Sequence, residues 1–392
     1  MSPLGSKPAA ASGVYYDQGA LVASATAGAA RGPAHVEVPT AFDAVLLTGF
    51  GGPEGQSEVL PFLRNVTRGR GIPDERLEEV AHHYRHFGGV SPINQHNRDL
   101  RVALQDRLAE LGLPLPVFWG NRNWTPYLND AITQAHAAGH RTLIAIPTSA
   151  YSSYSSCRQY REDWADALED SGLQTELRID KVRPFFNHPG FAATFISGLQ
   201  EAIEAARGEG IEPEQIDVLF CTHSIPSMDA SLSGGGDAYP EQHLALARYV
   251  MAQAAPGVSW QLVYQSRSGP PQQPWLEPDV NDAIQALSGR RGVILVPLGF
   301  VSDHMEVLWD LDTEAIETAR EAGLWVRRTA TPGVQPAFVD ALADLVAERV
   351  EGRPTAQRAS VTEIGPWYDV CRPGCCENRR LGFKPAIAGL AP

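Results

Sequence analysis

The sequence predicts an α/β protein with two similar Rossmann-like domains, each a doubly wound parallel sheet, which face each other across a ligand cleft. From Phe42 onward, short apolar runs alternate with longer amphipathic runs. Strands this apolar are typical of parallel sheets that helices cover on both faces. The alternation comes as two successive series, which indicates two domains. Polar side chains follow the predicted strands, and ligands of such folds bind beyond the carboxyl ends of the strands.

The first series predicts an N-terminal α/β domain over residues 41–175, and the second predicts a C-terminal α/β domain over residues 176–350. The predicted strands are DAVLLTG, LPVFWG and TLIAIPT in the first series, and LRIDKVRP, DVLFCTH, WQLVYQS and GVILVPLGF in the second. Helical patterns such as DERLEEVAHHYRHF and PGFAATFISGLQEAIEAAR lie between them. Residues 1–40 are expected to be a disordered leader, and residues 351–392 a cysteine-containing tail.

The charge balance narrows the classes of partner. The 392 residues carry a net charge of −14, which argues against nucleic acid because a phosphate-binding protein needs a basic surface. The same charge disfavours anionic membrane surfaces. No window of 18 consecutive apolar residues occurs, so we expect no transmembrane helix and a cytoplasmic protein.

The strand ends carry the residues best suited to chemistry. DVLFCTHSIP ends one strand at His223, and VILVPLGFVSDHME ends another with His304 and Glu306. His223 is either a structural histidine or a general base, because its ordinary pKa of about 6.5 suits proton transfer at neutral pH. Imidazole and carboxylate together suit Fe²⁺ or Zn²⁺, although the H-x-E spacing is common by chance.

The segment after the last of these strands predicts a helix with an acidic side. Glu306, Asp310, Glu314 and Glu317 fall within about 80° of each other at 100° per residue, and Leu308, Leu311, Ala315 and Ala319 lie opposite them. Like charges at i,i+4 repel each other. The row is therefore either an ordinary solvated face or a surface that a cation uses.

Glycine-rich turns place basic and small polar residues at loop positions. FGGP follows the first strand at Phe50 and allows close backbone approach to a flat ligand. TRGRGIP carries Arg70, and HYRHFGGVSPINQ carries Arg85 and Ser91. The arginine fork suits carboxylates, whereas an ordinary surface arginine is the alternative for either residue alone.

Three of the five cysteines crowd into CRPGCC, as Cys371, Cys375 and Cys376. Three thiols are one short of a four-thiolate site, so a distant cysteine must complete it. Cys157, in the polar loop YSSYSSCRQY, is the better donor, because Cys221 lies within an apolar strand. Zinc and an iron–sulfur cluster both fit this count.

Several blocks resemble ferrochelatase in the order that family has them. They are LLTGFGGPEGQSEVLPFLRN, HYRHFGGVSPINQ, FCTHSIP, GGGDAYPEQ, QSRSGPPQQPWLEPDV and LVPLGFVSDHMEVLWDLDTEA, and they span about Phe42 to Val350. The resemblance implies two α/β domains with a porphyrin cleft between them, into which Fe²⁺ is inserted. His223 would be the cleft histidine that accepts pyrrole protons, and Glu306 its facing carboxylate and partner in holding Fe²⁺.

The same resemblance implies roles for further residues. Asp310 and Glu314 would continue an acidic path from the site. Cys157, Cys371, Cys375 and Cys376 would hold a 2Fe–2S cluster, with zinc as the runner-up. Phe50 stands where some relatives carry a tyrosine that can ligate the product iron, so an oxygen ligand from that loop is not expected.

RGRGIPDERL and the cysteine tail resemble the branch of high-GC Gram-positive bacteria. That likeness implies coproporphyrin III, with four propionates, as the substrate rather than protoporphyrin IX, and a downstream haem-pathway enzyme as recipient. Substrate contacts are expected from Phe50, Arg70, Arg85, Ser91, Tyr160 and His304. The alternatives are a protoporphyrin IX ferrochelatase, a cobalt chelatase of the same fold, and a carrier without turnover.

Overall fold

The computed structural model describes residues 35–269, 272–372, 374–376 and 384–388. Most of the expected leader, residues 1–34, lies outside this range, as do parts of the cysteine tail.

The first sheet has four parallel strands in the order β2-β1-β3-β4. Its strands are β1 Ala44–Gly49, β2 Val117–Asn121, β3 Thr142–Pro147 and β4 Arg178–Lys181. Every residue of β1 is buried, as its continuous apolar run predicts for a strand covered on both faces.

The second sheet repeats this arrangement with the order β6-β5-β7-β8, again all parallel. Its strands are β5 Ile216–His223, β6 Ser259–Gln265, β7 Gly292–Val296 and β8 Trp325–Arg328. The two four-stranded parallel sheets with their helices confirm the predicted α/β class with two Rossmann-like units.

Helices connect the strands in both units. The α-helices of the first unit are Val59–Val66, Asp74–His86, Ile93–Glu110, Leu128–Ala137 and Gln159–Ser171. Those that follow are Pro189–Gly208, Ser227–Ser231, Ala238–Ala254, Val280–Ala286, Ile316–Glu321 and Pro336–Glu351. Short 3₁₀ turns lie at Gln56–Glu58, Pro213–Gln215, Ser233–Gly235 and Thr355–Gln357.

The first sheet ends one strand later than the predicted boundary at residue 175. β4 pairs in parallel with β3, from Thr142 opposite Arg178 to Ala145 opposite Lys181. The strand LRIDKVRP therefore completes the first sheet, although its place after a long helical stretch made it look like the start of the second. Which sheet a strand joins depends on long-range pairing, which local sequence does not encode.

The acidic segment is helical as predicted, but Val307–Ala315 forms a π-helix before continuing as an α-helix over Ile316–Glu321. A second π-helix, Tyr154–Arg158, carries Cys157. The i→i+5 pattern is rare and recurs at functional sites. Leu311, Ala315 and Ala319 are fully buried, which confirms most of the predicted apolar side, whereas Leu308 is only half-buried.

The two units are joined by buried ion pairs. Arg183 donates to both carboxylate oxygens of Glu348 at 2.9 and 3.0 Å, and Arg349 pairs with Asp180 at 2.5 Å. These bonds attach the last long helix, Pro336–Glu351, to the strand β4 and the segment that follows it. Of the helices that the structure describes, none is long and apolar enough to cross a membrane.

Candidate active site at the strand ends

His223 and Glu306 come together at the carboxyl ends of neighbouring strands. His223 is the last residue of β5, and Glu306 follows β7, which pairs directly with β5. The His223 Nε2 atom lies 3.6 Å from Glu306 Oε1. The other ring nitrogen, Nδ1, donates to the backbone oxygen of Ser224, so Nε2 is the atom that faces Glu306.

The two groups form an ion pair. Burial lowers the pKa of His223, but the Glu306 carboxylate outweighs burial and raises that pKa to about 9. Burial raises the pKa of Glu306, and the imidazolium more than offsets this and lowers it to about 2. At neutral pH these shifts favour an imidazolium beside a carboxylate.

Asp310 lies one turn farther along the acidic row and is held by the end of β6. Gln265 Nε2 donates to Asp310 Oδ2 at 3.2 Å and to the Glu306 backbone oxygen at 3.0 Å. Ser266 Oγ also donates to Asp310 Oδ2. Burial, followed by the charge of Glu306, raises the pKa of Asp310 to about 7. Asp310 can therefore exchange a proton near neutral pH.

The acidic row then reaches the surface. Glu314 is exposed and accepts a hydrogen bond from Trp309 Nε1 at 2.9 Å. His83 of the helix Asp74–His86 stacks on Trp309 with ring centroids 4.0 Å apart. The acidic row thus lies beside the contact between His83 of the first unit and Trp309 of the second. Glu317 is exposed on the following α-helix.

His304 has a local structural role. Its Nδ1 atom accepts a hydrogen bond from the Glu306 backbone N–H at 3.2 Å, so it caps the helix that begins at Met305. Burial lowers the pKa of His304, which favours the neutral ring needed to accept that bond. His304 therefore orients the backbone of Glu306.

Aromatic residues of the first unit form the opposite wall. Phe50 is 37% exposed, contacts Phe62 edge-on at 6.4 Å, and has the Arg122 guanidinium 5.8 Å from its ring centre. Tyr84 packs against Phe62 at 5.8 Å. Burial and then the charge of Glu306 raise the pKa of Tyr84, so this wall lies close to the His223–Glu306 pair.

Four of the residues expected to contact the substrate, which are Arg70, Arg85, Ser91 and Tyr160, have different surroundings. Arg85 is 41% exposed and pairs with Glu78 at 2.7 Å, and Arg70 is exposed in the loop after the first helix. Ser91 is buried beside Gly52. Tyr160 is buried beneath Arg122, whose guanidinium lies 4.8 Å from its ring centre. The structure thus leaves the two arginines, but not Tyr160, open to solvent.

The four predicted cluster cysteines lie together in one buried pocket. Cys157, Cys371, Cys375 and Cys376 form this pocket with Tyr368 beside them, and all are free thiols. The Sγ atoms of Cys375 and Cys376 are 3.7 Å apart. Cys221 is also buried and free, but it lies in a separate core.

The surroundings of these thiols fit an anionic metal–thiolate group. The buried Arg161 lies close enough to interact with all four cysteines, and its Nη1 atom has no hydrogen-bond partner among the described residues. The Gly234 N–H donates to Cys376 Sγ at 3.1 Å. Hydrogen bonds from Cys371 and Cys376 hold the pKa of Cys375 well below its usual range, and the thiolate is the ligating form.

Adjacent cysteines can share this pocket because the backbone turns between them. Cys376 has φ +56°, in the left-handed region. This conformation costs free energy for a non-glycine residue, yet it lets both thiols point inward. Within the described residues, no group of three or more His, Cys, Asp or Glu side chains is arranged so that it could hold a metal ion.

Sequence reasoning missed Gln265 and Ser266, which hold Asp310. Both belong to the block QSRSGPPQQPWLEPDV, but glutamine and serine are too common at strand ends to be noticed without the fold. Ser266 has φ +60°, and a non-glycine residue in that region often marks a functional constraint.

Comparisons with known proteins identify a family. The family model described as Ferrochelatase matches residues 42–350. "Coproporphyrin III ferrochelatase" of Leifsonia xyli subsp. xyli is 61% identical over 386 residues, covering 94% of this chain and 99% of the relative. The protein of the same description from Streptomyces griseus subsp. griseus is 49% identical, covering 90% of this chain and 97% of the relative.

A comparison with solved structures finds a distant likeness. The structure titled "SirB from Bacillus subtilis with Fe3+" aligns with a TM-score of 0.46 at 12% identity, covering 81% of this chain and 99% of that one.

Proposed function

Because this chain belongs to the ferrochelatase family, we propose that it inserts Fe²⁺ into coproporphyrin III and yields Fe-coproporphyrin for haem biosynthesis. The descriptions of its Leifsonia and Streptomyces relatives support coproporphyrin III as the substrate. The observation that carries the proposal is the His223–Glu306 pair, with 3.6 Å between Nε2 and Oε1, at the end of the second sheet and opposite an aromatic wall.

His223 is the proposed acceptor of a pyrrole proton. In the ligand-free site its pKa is raised to about 9 because Glu306 stabilises the imidazolium. A dication bound by Glu306 repels the imidazolium and neutralises the carboxylate, so it lowers the pKa of His223. The arrival of Fe²⁺ would therefore free Nε2 to accept a proton from the macrocycle, which is general-base catalysis.

Asp310 and Glu314 are the proposed continuation of the path. Carboxylate oxygens suit hydrated cations, and Asp310, with a pKa raised to about 7, can take a proton from His223 or release one. The hydrogen bonds from Gln265 and Ser266 hold its carboxylate at the end of β6. Metal and protons would thus pass along the same row.

The aromatic wall and the rim are the proposed porphyrin contacts. Phe50 offers an apolar face to a flat ring, and Arg70 and Arg85 can pair with propionates that reach solvent. Arg85 would exchange its surface partner Glu78 for a propionate, which costs little because exposed ion pairs are weak. Ser91, Tyr160 and His304 support the backbone and side chains around these contacts.

We further propose that Cys157, Cys371, Cys375 and Cys376 hold a 2Fe–2S cluster, with zinc as the alternative. The buried Arg161 and the N–H group of Gly234 suit the negative charge of either group. When bound, the cluster would tie the C-terminal tail to the loop that carries Cys157, which adds stability. Reduced thiols suit an enzyme of the cytoplasm.

The function is tested by mixing the purified protein with Fe²⁺ and coproporphyrin III without oxygen and following the porphyrin absorption bands. We expect many turnovers per chain and a higher kcat/KM than with protoporphyrin IX. A stoichiometric complex without turnover would indicate a carrier, and a clear preference for Co²⁺ would indicate a cobalt chelatase.

The cluster is tested by comparing two cysteine variants of the anaerobically purified protein. Wild type should be reddish-brown, with about two irons and two sulfides per chain. Cys157→Ala should lose the colour, whereas the matched variant Cys221→Ala should keep it because its thiol lies in the core of the second sheet. Protein that contains only zinc would show that the four cysteines hold zinc rather than an iron–sulfur cluster.

A further inference from the structure

The segment from Ser233 to His243 touches both the thiol pocket and the strand that ends at His223. It contains the block GGGDAYPEQ and begins with three glycines of positive φ, Gly234 to Gly236. A Cβ atom at Gly234 would lie 2.5 Å from Ala238 Cβ and 2.8 Å from Trp367 Cζ2. The turn therefore packs closely against the segment that leads to the cysteines.

At one end, the peptide groups of this turn are held by the pocket. The Gly234 N–H donates to Cys376 Sγ at 3.1 Å, and the Gly234 carbonyl accepts from Tyr368 Oη at 3.2 Å. The same hydroxyl lies 3.7 Å from Cys375 Sγ. The position of Gly234 thus depends on where the thiols and Tyr368 lie.

At the other end, the segment supports the catalytic histidine. Ser233 Oγ accepts a hydrogen bond from the Tyr239 N–H at 2.8 Å. The Tyr239 hydroxyl donates to the backbone oxygen of His223 at 2.9 Å and lies 2.9 Å from Thr222 Oγ1. All these side chains except His223 are buried, so the bonds are shielded from competing water.

A second set of contacts runs in parallel. His243 is buried, and burial lowers its pKa to about 3. Its Nδ1–H donates to the Tyr239 carbonyl at 2.7 Å, so Nε2 accepts from the Thr222 hydroxyl at 2.9 Å. The ring stacks at 3.5 Å on Tyr151, which begins the loop that carries Cys157. Both chain segments that supply thiols are therefore linked to the end of β5, one through His243 and the other through Gly234, Ser233 and Tyr239.

We infer that Ser233 and Tyr239 are positioning residues through which the thiol pocket sets the place of His223. The inference rests on the proposed roles of His223 and of the four cysteines. It assigns the proposed cluster a purpose beyond stability. A metal-bound pocket would fix Cys376, and Cys376 would fix Gly234. The neighbouring Ser233 would then hold Tyr239, whose hydroxyl bonds to the His223 carbonyl. Tyr239 touches the backbone of His223 and not the reacting atoms.

Two variants remove the bonds without touching any thiol. Ser233→Ala and Tyr239→Phe should each lower kcat roughly 10-fold, the scale expected for a displaced reacting group, and leave KM for coproporphyrin III unchanged. The matched variants Ser231→Ala and Tyr249→Phe should retain wild-type kcat. The Ser231 hydroxyl donates to the Met228 carbonyl in its own short helix, and Tyr249 lies on the same helix as Tyr239, nearly three turns farther along.

The direct readout is the NMR signal of the His223 ring in ¹³C-histidine-labelled protein, assigned with His223→Gln. The signal should move in Ser233→Ala and Tyr239→Phe and stay in the two controls. Cys376→Ala should move it in the wild-type background and add nothing in the Tyr239→Phe background. Should Cys376→Ala fail to fold, Ser233→Ala carries the same test, because all four thiols remain.

An unmoved His223 signal in both Ser233→Ala and Tyr239→Phe would overturn the inference. So would a Cys376→Ala shift of equal size in both backgrounds, because the pocket would then act by another route. A chain that inserts no iron but shows the expected signal changes would refute the proposed function and leave this connection standing.

Discussion

The two sheets share one strand order, but the ends of their corresponding central strands differ in chemistry. β1 lies between β2 and β3, and β5 lies between β6 and β7. β1 ends at Gly49, packed against the buried side chains of Asn97 and Asn121. β5 ends at His223, which faces Glu306.

This difference separates what a fold supplies from what residues supply. A parallel sheet brings the ends of neighbouring strands to one edge, and both sheets do so. Only the second sheet places an imidazole and a carboxylate there, whereas the first places a glycine, amides and aromatic rings. The first sheet is therefore expected to shape the cleft and the second to carry out the reaction, as function depends on the site rather than the fold.

The largest expected effect is on turnover, from changes at the end of the second sheet. Glu306→Gln keeps the shape but removes the charge and the proton acceptor, and should lower kcat roughly 10²–10⁴-fold. His223→Ala should be at least as severe, with porphyrin still bound. Steady-state rates at several Fe²⁺ concentrations, with porphyrin binding followed by fluorescence, measure both.

The rest of the acidic row provides graded controls for that prediction. Asp310→Asn and Glu314→Gln should be milder and act mainly on the Fe²⁺ dependence. Glu317→Gln should leave turnover unchanged, since Glu317 is exposed on the α-helix beyond the π-helix. Wild-type turnover in Glu306→Gln would show that the acidic row is only a solvated face of the helix.

The next effect is on the pKa of His223. Wild type should titrate at about 9, whereas in Glu306→Gln the pKa of His223 should fall, because only the weaker effects of the Ser224 hydrogen bond and the Asp310 charge then oppose burial. Histidine NMR signals followed between pH 5 and 10 measure the shift. A pKa that stays near 9 in the variant would show that another group stabilises the imidazolium.

The same pair predicts how stability depends on pH. His223 has a raised folded-state pKa, so its contribution is complete below pH 6.5 and is lost as pH rises through about 9. Glu306 has a depressed pKa, so its contribution is complete above pH 4.5 and is lost as pH falls through about 2. The stability difference between wild type and Glu306→Gln should therefore be largest between pH 4.5 and 6.5.

A smaller effect, on stability alone, is expected at the end of the first sheet. A Cβ atom at Gly49 would lie 2.4 Å from Asn97 Nδ2 and 2.6 Å from Asn121 Oδ1. Gly49→Ala should lower the free energy of unfolding by about 1–3 kcal/mol, as overpacking in a core does. Urea unfolding measures this, and Gly208→Ala, where no atom lies within 4 Å of the new Cβ, is the matched control.

The smallest effect is expected at the rim. Arg85→Ala should reduce the preference for coproporphyrin III over protoporphyrin IX about fivefold or less, since exposed charge pairs contribute up to about 1 kcal/mol. Arg76→Ala, on the same helix and also exposed in an ion pair, should leave the ratio of the two kcat/KM values unchanged. Equal effects of the two variants would remove Arg85 from the substrate contacts.

The sequence by itself determined the class of fold, which the structure confirms, and it predicted the residues of a candidate site. Continuous apolar runs predicted buried parallel strands because both faces of such strands are covered. His223, Glu306 and the three tail cysteines were recognisable because their side chains have uncommon chemistry at strand ends or in a polar tail. The strand β8 was not among the predicted strands, because its residues, WVRR, form no continuous apolar run.

The tertiary structure alone decided how these parts meet. Pairing of β5 with β7 brings His223 to Glu306, and pairing of β4 with β3 moves a strand into the first sheet. The π-helix and the bonds from Gln265 and Tyr239 also depend on neighbours distant in the chain. The protonation of His223 follows from them as well, because a pKa is set by burial and by nearby charges, and local sequence specifies neither.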